Sequence, residues 1–397
     1  MRILMVHNHY QSTSPSGETV VFDAEVDMLR RRNHHILTFE AHNDEIINYD
    51  LQQKIRLAVR ACWSATTYRR LRRTIRRFKP HIVHFHNITP LLSPSAYYAC
   101  LAEGVPVVQT LHNYRLLCLN GLLFRDGSVC ERCVNRTVLR GVLYGCYRNS
   151  QLQSAVMAAS VMLHRLLKTS LRAVDAFIAL TEFAKSRFVA AGLPEEKLFV
   201  KPNFLPADIP ANNSVPRKPR ALYIGRLSCE KGIKALLKAW HGKDMPELVI
   251  VGAGPLQPMV EKAARENGKI AYRGRLPRTR CVELLTSSLF CVVASVWYEA
   301  FPLSVVEAFA AGTAVVASRI GSLAELIKDG YNGLLFEPGN AEDLRRCVLK
   351  LYSNPELAIE MGRNARKEFM QKYTEDENYR TLMRVYEIVL KRRRLRA

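Results

Sequence analysis

The sequence predicts an α/β protein built as two doubly wound units, each a parallel sheet with helices between its strands. Three observations carry this. Short β-branched and apolar runs alternate with helical stretches along the chain, the pattern of strands covered on both faces by helices. A segment with five prolines and little periodicity, "PNFLPADIPANNSVPRKP" at 202–219, interrupts the alternation near its middle. At 397 residues the chain is too long for one ordinary core and suits two domains of roughly 200.

In the first half, "RILMVHN", "HILTFE", "HIVHFH", "PVVQTLH", "AFIALT" and "KLFVKPN" read as strands, with helices between them at about 18–33, 51–78, 95–103, 151–173 and 182–191. The alternation then restarts with "ALYIGRL", "ELVIVGAG", "KIAYRG", "LFCVVAS", "TAVVAS" and "GLLFEP". From 341 the chain reads as helix to its basic end, "KRRRLRA". The expected division is a first domain at 1–203 carrying a cysteine-bearing insertion at 113–150, a linker at 204–220, a second domain at 221–372, and a terminal helix at 373–397 crossing back to the first domain. Two such units are expected to face a central cleft, with ligands beyond the carboxyl ends of the strands. Asn8 to Gly17, His86, His112, Arg226, Gly252 to Gly254 and Glu299 all follow predicted strands.

Lysine and arginine number 58 against 36 aspartates and glutamates, a net charge of +22, so the surface attracts phosphates, nucleic acid or acidic lipid. No helix-turn-helix, RNA-recognition or zinc-finger frame accompanies that charge, which argues against nucleic acid as the partner. No apolar run approaches the roughly 20 residues of a spanning helix. The opening "MRILMVHNHYQ" turns polar where a secretory core would continue, so a cytoplasmic location is expected. Ten cysteines in such a chain are reduced packing residues or metal ligands rather than disulfides.

The stretch "WYEAFPLSVVEAF" at 297–309 places Glu299 and Glu307 eight positions apart, across the entry of a helix that starts near Leu303 and stops at Gly312. Free N–H groups at that helix start, with donors from Leu303 and Ser304, suit a phosphate, and Pro302 loses little there. Glu307, one turn inside and on the face of Ser304, can accept two hydrogen bonds from a vicinal diol such as ribose. Glu299 stays in the loop on the other side. In "YIGRLSCEKG", Arg226 and Lys231 set two cations five apart at a strand mouth, able to neutralise adjacent phosphates without a metal. No Asp-x-Asp pair occurs to hold a divalent ion. "VIVGAGPL" lacks the third glycine of a dinucleotide fingerprint, so Gly252 and Gly254 read as a structural turn.

The E-x7-E spacing with its glycine-terminated helix resembles the signature of retaining GT-B glycosyltransferases, and "EAFPLSVVEAFAAGTAVVAS" is similar to glycosyltransferase family 4. The resemblance implies a GT-B fold of two Rossmann-like domains and a retaining transfer of sugar from a nucleotide-sugar donor to a glycan or lipid-linked saccharide, in cell-surface polysaccharide or glycolipid synthesis. No cofactor is required. It implies donor contacts from Gly17, Arg226, Lys231, Ala300, Phe301, Leu303, Ser304 and Glu307, a nucleobase loop at "YRGRL", and catalytic positions at Glu299 and, through "TLHNYR", His112. In "PSGETVV", Ser16 stands where many members carry a first glycine. A nucleotide-sugar epimerase on the same fold is the nearest alternative, and the Arg226–Lys231 pair favours the transferase.

Two features lie outside that signature. Cys118, Cys130, Cys133 and Cys146 fall in the insertion, and four thiolates could bind a structural zinc ordering a loop too small for a core; unligated thiols are the plain alternative. Residues 51–80 hold ten lysines and arginines and no acid, with Tyr68, Leu71, Ile75 and Phe78 at helical spacing. That stripe reads as core, while the cationic flanks suit an anionic membrane, placing the enzyme peripherally on the inner face of the plasma membrane. His7, His9, His84, His86 and His112 cluster at strand ends; their spacing is that of no known metal motif, which favours rim or acceptor contacts over a catalytic metal.

Overall fold

A computed structural model describes residues 1–10, 12, 17–205, 216–242 and 244–395. Ser16 and most of the expected linker lie outside these. The chain forms two compact units, one of residues 1–123, 130–203 and 378–397, the other of 124–129 and 204–377.

The strands are β1 (Arg2–His9), β2 (His35–His42), β3 (Ile82–Asn87), β4 (Val107–Thr110), β5 (Phe124–Arg125), β6 (Ser128–Val129), β7 (Ala176–Ala179), β8 (Leu198–Val200), β9 (Lys218–Ile224), β10 (Glu247–Val251), β11 (Ile270–Tyr272), β12 (Ser288–Val293), β13 (Ala314–Ser318) and β14 (Gly333–Phe336). In the first unit the order is β2-β1-β3-β4-β7-β8, all parallel. The second sheet runs β11-β10-β9-β12-β13-β14, again all parallel.

Central strands are buried on both faces, as their unbroken apolar runs require: Ile3 to Val6 in β1 and all of β3 are inaccessible or nearly so. The edge strand β2 instead alternates between exposed and half-buried positions over most of its length. In the second unit successive residues divide between two cores by the period of two, with Tyr223, Ile250 and Val292 on one face and Leu222, Val251 and Cys291 on the other.

The helices differ from expectation where a polar side chain competes for the backbone. The stretch 51–78 is two helices, Leu51–Cys62 and Ala65–Phe78. Trp63 is extended, and Ser64 caps the second helix by accepting from the Thr67 N–H at 3.2 Å. The stretch 151–173 breaks at Lys168, φ 50°, between Gln151–Leu166 and Thr169–Arg172. The carboxyl-terminal stretch is three helices, Ala341–Tyr352, Pro355–Lys372 and Glu375–Arg394, the second capped by Asn354 with Pro355 in its first turn. Asn378 onward belongs to the first unit, where Tyr386 meets His84 at 2.8 Å. The insertion holds the unforeseen β5–β6 hairpin, turned by Asp126-Gly127 with both φ angles positive.

The stripe of helix Ala65–Phe78 turns inward, with Leu71 and Ile75 buried. The preceding helix carries a second stripe that the sequence reading missed, and it is exposed: Leu51 73%, Ile55 58% and Val59 65%, beside exposed Lys54 and Arg56. Among the described residues, no helix is long and apolar enough to cross a membrane.

Candidate active site

In an open parallel sheet, ligands bind past the strand ends where the order of strands reverses. In the second sheet that point lies between β9 and β12, and the loops leaving these two strands carry Arg226, Lys231 and Glu299. Gly232 holds the β9 loop against the other: its φ is +71°, and a Cβ there would sit 1.8 Å from the Ala294 carbonyl oxygen. The Val296 N–H donates to Glu230 O at 2.9 Å across the same junction.

This approach sets Lys231 Nζ 2.7 Å from Glu299 Oε1 and 5.5 Å from the Trp297 ring centre. Ser295 Oγ donates to the same carboxylate oxygen. Glu299 is buried, Lys231 half-buried and Arg226 exposed, so the cation pair expected from the sequence is one ammonium held by an acid and one guanidinium open to solvent. Gly252 serves packing, since a Cβ on it would strike Gly225 O at 1.8 Å, and Leu227 N–H donates to Ala253 O at 3.0 Å. The "YRGRL" loop joins there, with Gly252 N–H on Gly274 O at 2.8 Å.

Pro302 caps the helix Leu303–Ala310 and its carbonyl accepts from the Val305 N–H at 3.1 Å, and among the described residues the first-turn amides of Leu303 and Ser304 have no acceptor. Gly312 ends the helix at φ +65°. Ala300 O accepts from Ser322 Oγ at 3.4 Å, and Phe301 lies against Tyr373 with ring centres 6.1 Å apart. Glu307 is half-buried, and its carboxylate has no hydrogen-bond partner among the described residues. Burial pushes its carboxyl up, the Arg278 charge pulling the other way.

In the first unit the reversal falls between β1 and β3. His7, His9, His84, His86 and His112 are all buried there. His86 Nδ1 lies 2.9 Å from His112 Nε2. Both rings line a cavity of ≈ 260 Å³ that also takes in Asn113, Arg115, Arg165 and Lys168. Sequence reasoning missed Glu25 and Lys201, which meet at 2.8 Å beneath these rings, each almost wholly buried. An acid amid the apolar positions Val21, Phe22, Val26 and Leu29 of helix Gly17–Arg31 was the available signal. Gly17 opens that helix and is exposed.

Two groups of three side chains bring metal-ligating atoms within 4.8 Å of one another among the described residues, His9–Glu40–His42 and Glu25–His84–His86; neither is a trio of histidines, and the cysteines form no such group. The insertion, expected to lack a core, has a small one: Leu119, Cys133, Val138, Met157 and Ala158, with Cys146 packed partly against it. Cys118 Sγ lies 3.0 Å from Asn120 Oδ1. Burial raises the Cys118 and Cys133 thiols, and the neighbouring thiols, Cys130 among them, add to it.

Two family models divide the chain between them: Glycosyltransferase Family 4 matches residues 15–208 and Glycosyl transferases group 1 matches 206–368. The chain belongs to glycosyltransferase family 4. Its similarity to curated members is regional. D-rhamnosyltransferase WbpZ of Pseudomonas aeruginosa is 35% identical over 157 residues, 38% of this chain and 41% of that protein. The N,N'-diacetylbacillosaminyl-diphospho-undecaprenol alpha-1,3-N-acetylgalactosaminyltransferase of Campylobacter jejuni is 32% identical over 182 residues, 45% and 47% of the two chains. The chain thus spans less than half the length of these relatives. Among solved structures, Anabaena HepE in complex with UDP matches with TM-score 0.70 at 16% identity, covering 98% of this family 4 chain and 100% of that one. Sucrose-phosphate synthase of Thermosynechococcus elongatus matches with TM-score 0.69 at 15% identity, covering 98% and 99%. At such identities the likeness is one of fold, and the fold is GT-B.

Proposed function

We propose that the protein is a retaining hexosyltransferase that moves a sugar from a nucleoside-diphosphate sugar to a glycan or lipid-linked saccharide, in surface polysaccharide or glycolipid synthesis. The observation that carries this is Glu307: a half-buried carboxylate with no donor among the described residues, one turn inside a helix whose entry loop carries Glu299, itself paired with Lys231. A ribose diol supplies the two missing donors, the amides and Arg226 meet the diphosphate, and no metal is needed. Glu299, held by Ser295 and Lys231, keeps one oxygen for the sugar. In the first unit His112 meets a substrate hydroxyl. The C1–O bond to phosphate breaks as the acceptor oxygen bonds C1 from the same face, and the leaving phosphate takes the acceptor's proton. The name of the Campylobacter relative supports a saccharide acceptor carried on a diphospho-lipid.

The exposed Leu51–Ile55–Val59 stripe, in a segment of ten cations and no acid, supports peripheral attachment to an anionic membrane from the cytoplasmic side. A structural zinc at Cys118, Cys130, Cys133 and Cys146 belongs to the same proposal, and since no three of these thiols lie within 4.8 Å of one another as folded, binding would draw them together. The test is thermal unfolding against UDP, GDP, ADP and dTDP and their sugars. One base family should raise the melting temperature in a concentration-dependent way while duplex DNA does nothing. Lack of protection by every nucleotide at millimolar concentration overturns the reading.

A further inference from the structure

Beneath His112 lies a buried chain of polar groups that the transfer reaction does not by itself require. Glu25 projects from helix Gly17–Arg31 and is fully buried; Lys201, just past β8, is 1% exposed. Lys201 Nζ lies 2.8 Å from Glu25 Oε2 and 3.2 Å from Asn378 Oδ1. The other carboxylate oxygen, Oε1, faces His84 Nδ1 at 3.2 Å and His86 Nε2 at 3.3 Å. Oε1 and His86 Nε2 each lack a well-formed hydrogen bond, so each is the other's available partner. His84 is engaged on both sides, Nδ1 with Tyr386 Oη and Nε2 with Thr110 Oγ1, each at 2.8 Å.

The protons follow. Burial raises the Glu25 carboxyl, but Lys201 and the two histidines outweigh it and hold the group well below the usual range, so Glu25 is an ion that only accepts. The proton between Glu25 and His86 is therefore on His86 Nε2. With Nε2 carrying the proton that faces Glu25, the Nδ1 of His86 is the lone pair that faces His112. The 2.9 Å contact to His112 Nε2 then needs its proton from His112. Burial, then the neighbouring His86 and His7, lowers His112 well below its ordinary value, so it too is neutral, with Nδ1 bare. Nδ1 has no partner among the described residues, and the ring lines the cavity.

We propose that the buried Glu25–Lys201 pair, acting through His86, fixes His112 as the Nε2–H tautomer, so that His112 offers Nδ1 as a hydrogen-bond acceptor and selects a substrate group that donates, a sugar hydroxyl. Glu25, Lys201 and His86 are positioning residues; His112 touches substrate. The substrate half of this rests on the glycosyltransferase reading, whereas the tautomer is a property of the free protein.

The experiment is long-range 1H–15N correlation of histidine-labelled protein, with the rings assigned from His86→Asn and His112→Asn. Wild type should show protonated Nε2 and bare Nδ1 on both His86 and His112. A Glu25→Gln/Lys201→Met double variant removes both charges at nearly constant volume and keeps the test alive if Glu25→Gln alone, which strands the lysine, fails to fold. In the double variant His112 should lose its single tautomer, and affinity for the protecting nucleotide sugar should fall about tenfold while affinity for the nucleoside diphosphate alone stays unchanged. A wild-type His112 carrying its proton on Nδ1, a doubly protonated His86, or an unaltered His112 tautomer in the double variant overturns the proposal. If the tautomers are as stated but no nucleotide sugar protects, the functional reading fails and the tautomer assignment stands.

Discussion

Glu307→Gln should move stability and affinity in opposite directions. Burial lifts the Glu307 carboxyl above its unfolded value, and no donor in the described chain offsets the cost. A carboxyl raised on folding binds its proton more tightly in the native state, so stability is lost as pH climbs from the unfolded value through the folded one, and the loss is complete above it. The neutral amide removes that penalty. At pH 7 the variant should therefore unfold at a higher temperature than wild type, and the gain should vanish near pH 3, about a unit and more below the unfolded carboxyl's value, where wild type is protonated in both states. Nucleotide binding should weaken, because two hydrogen bonds from a diol to a charged acceptor become bonds to a neutral one. At about 1 kcal/mol lost per bond, the Kd rises roughly 30-fold. Calorimetric titration with the protecting nucleotide, alongside thermal unfolding at the two pH values, reads both signs. An unchanged Kd refutes the diol assignment; a variant no more stable at pH 7 than wild type refutes the claim that the carboxylate lacks a partner.

Lys231→Met leaves Glu299 buried with Ser295 as its remaining donor and should cost about 2–3 kcal/mol in denaturant unfolding, while Lys231→Met/Glu299→Gln should cost less than the sum of the singles by about 1–3 kcal/mol; additivity would refute the pair. Ile55→Asp/Val59→Asp exchanges exposed apolar groups for acids in the cationic segment and should abolish sedimentation with anionic vesicles without altering nucleotide protection; equal sedimentation of wild type with neutral and anionic vesicles would refute the membrane surface. Purified protein should carry near one equivalent of zinc by elemental analysis, lost in Cys146→Ser; less than half an equivalent in wild type refutes the four-thiolate site.

The central strands of the two parallel sheets were legible because burial on both faces demands unbroken apolar runs, and β3 or β12 could hardly be read otherwise. The helix breaks were half legible. Asn354-Pro355 announces itself, but Ser64 becomes a cap only because its own amide and carbonyl are tied to Ser93 and Ser95, an arrangement the local sequence does not contain. Glu299 and Lys231 lie 68 residues apart and could be placed on adjacent strand ends from the order of strands alone. Glu25 and Lys201 are 176 residues apart, and no spacing rule joins them. The amphipathic character of residues 51–80 was visible, yet which stripe meets solvent depends on the partner helix: Ala65–Phe78 packs on Ser95–Ala102, whereas among the described residues the Leu51–Val59 stripe stays exposed.

The pairing of Lys231 with Glu299 bears on how a nucleotide can be held without a metal. An ammonium has three donors, and Glu299 takes one, so two remain for phosphate oxygens. A carboxylate so close to a diphosphate would repel it were its charge not already matched, and Lys231 matches it from a distance of 2.7 Å. In the proposed reaction the lysine would work as a bridge, letting an acid stand beside the reacting sugar while contributing charge to the leaving group. Gly232 permits the close approach that the bridge relies on, because a Cβ there would sit 1.8 Å from the Ala294 carbonyl oxygen.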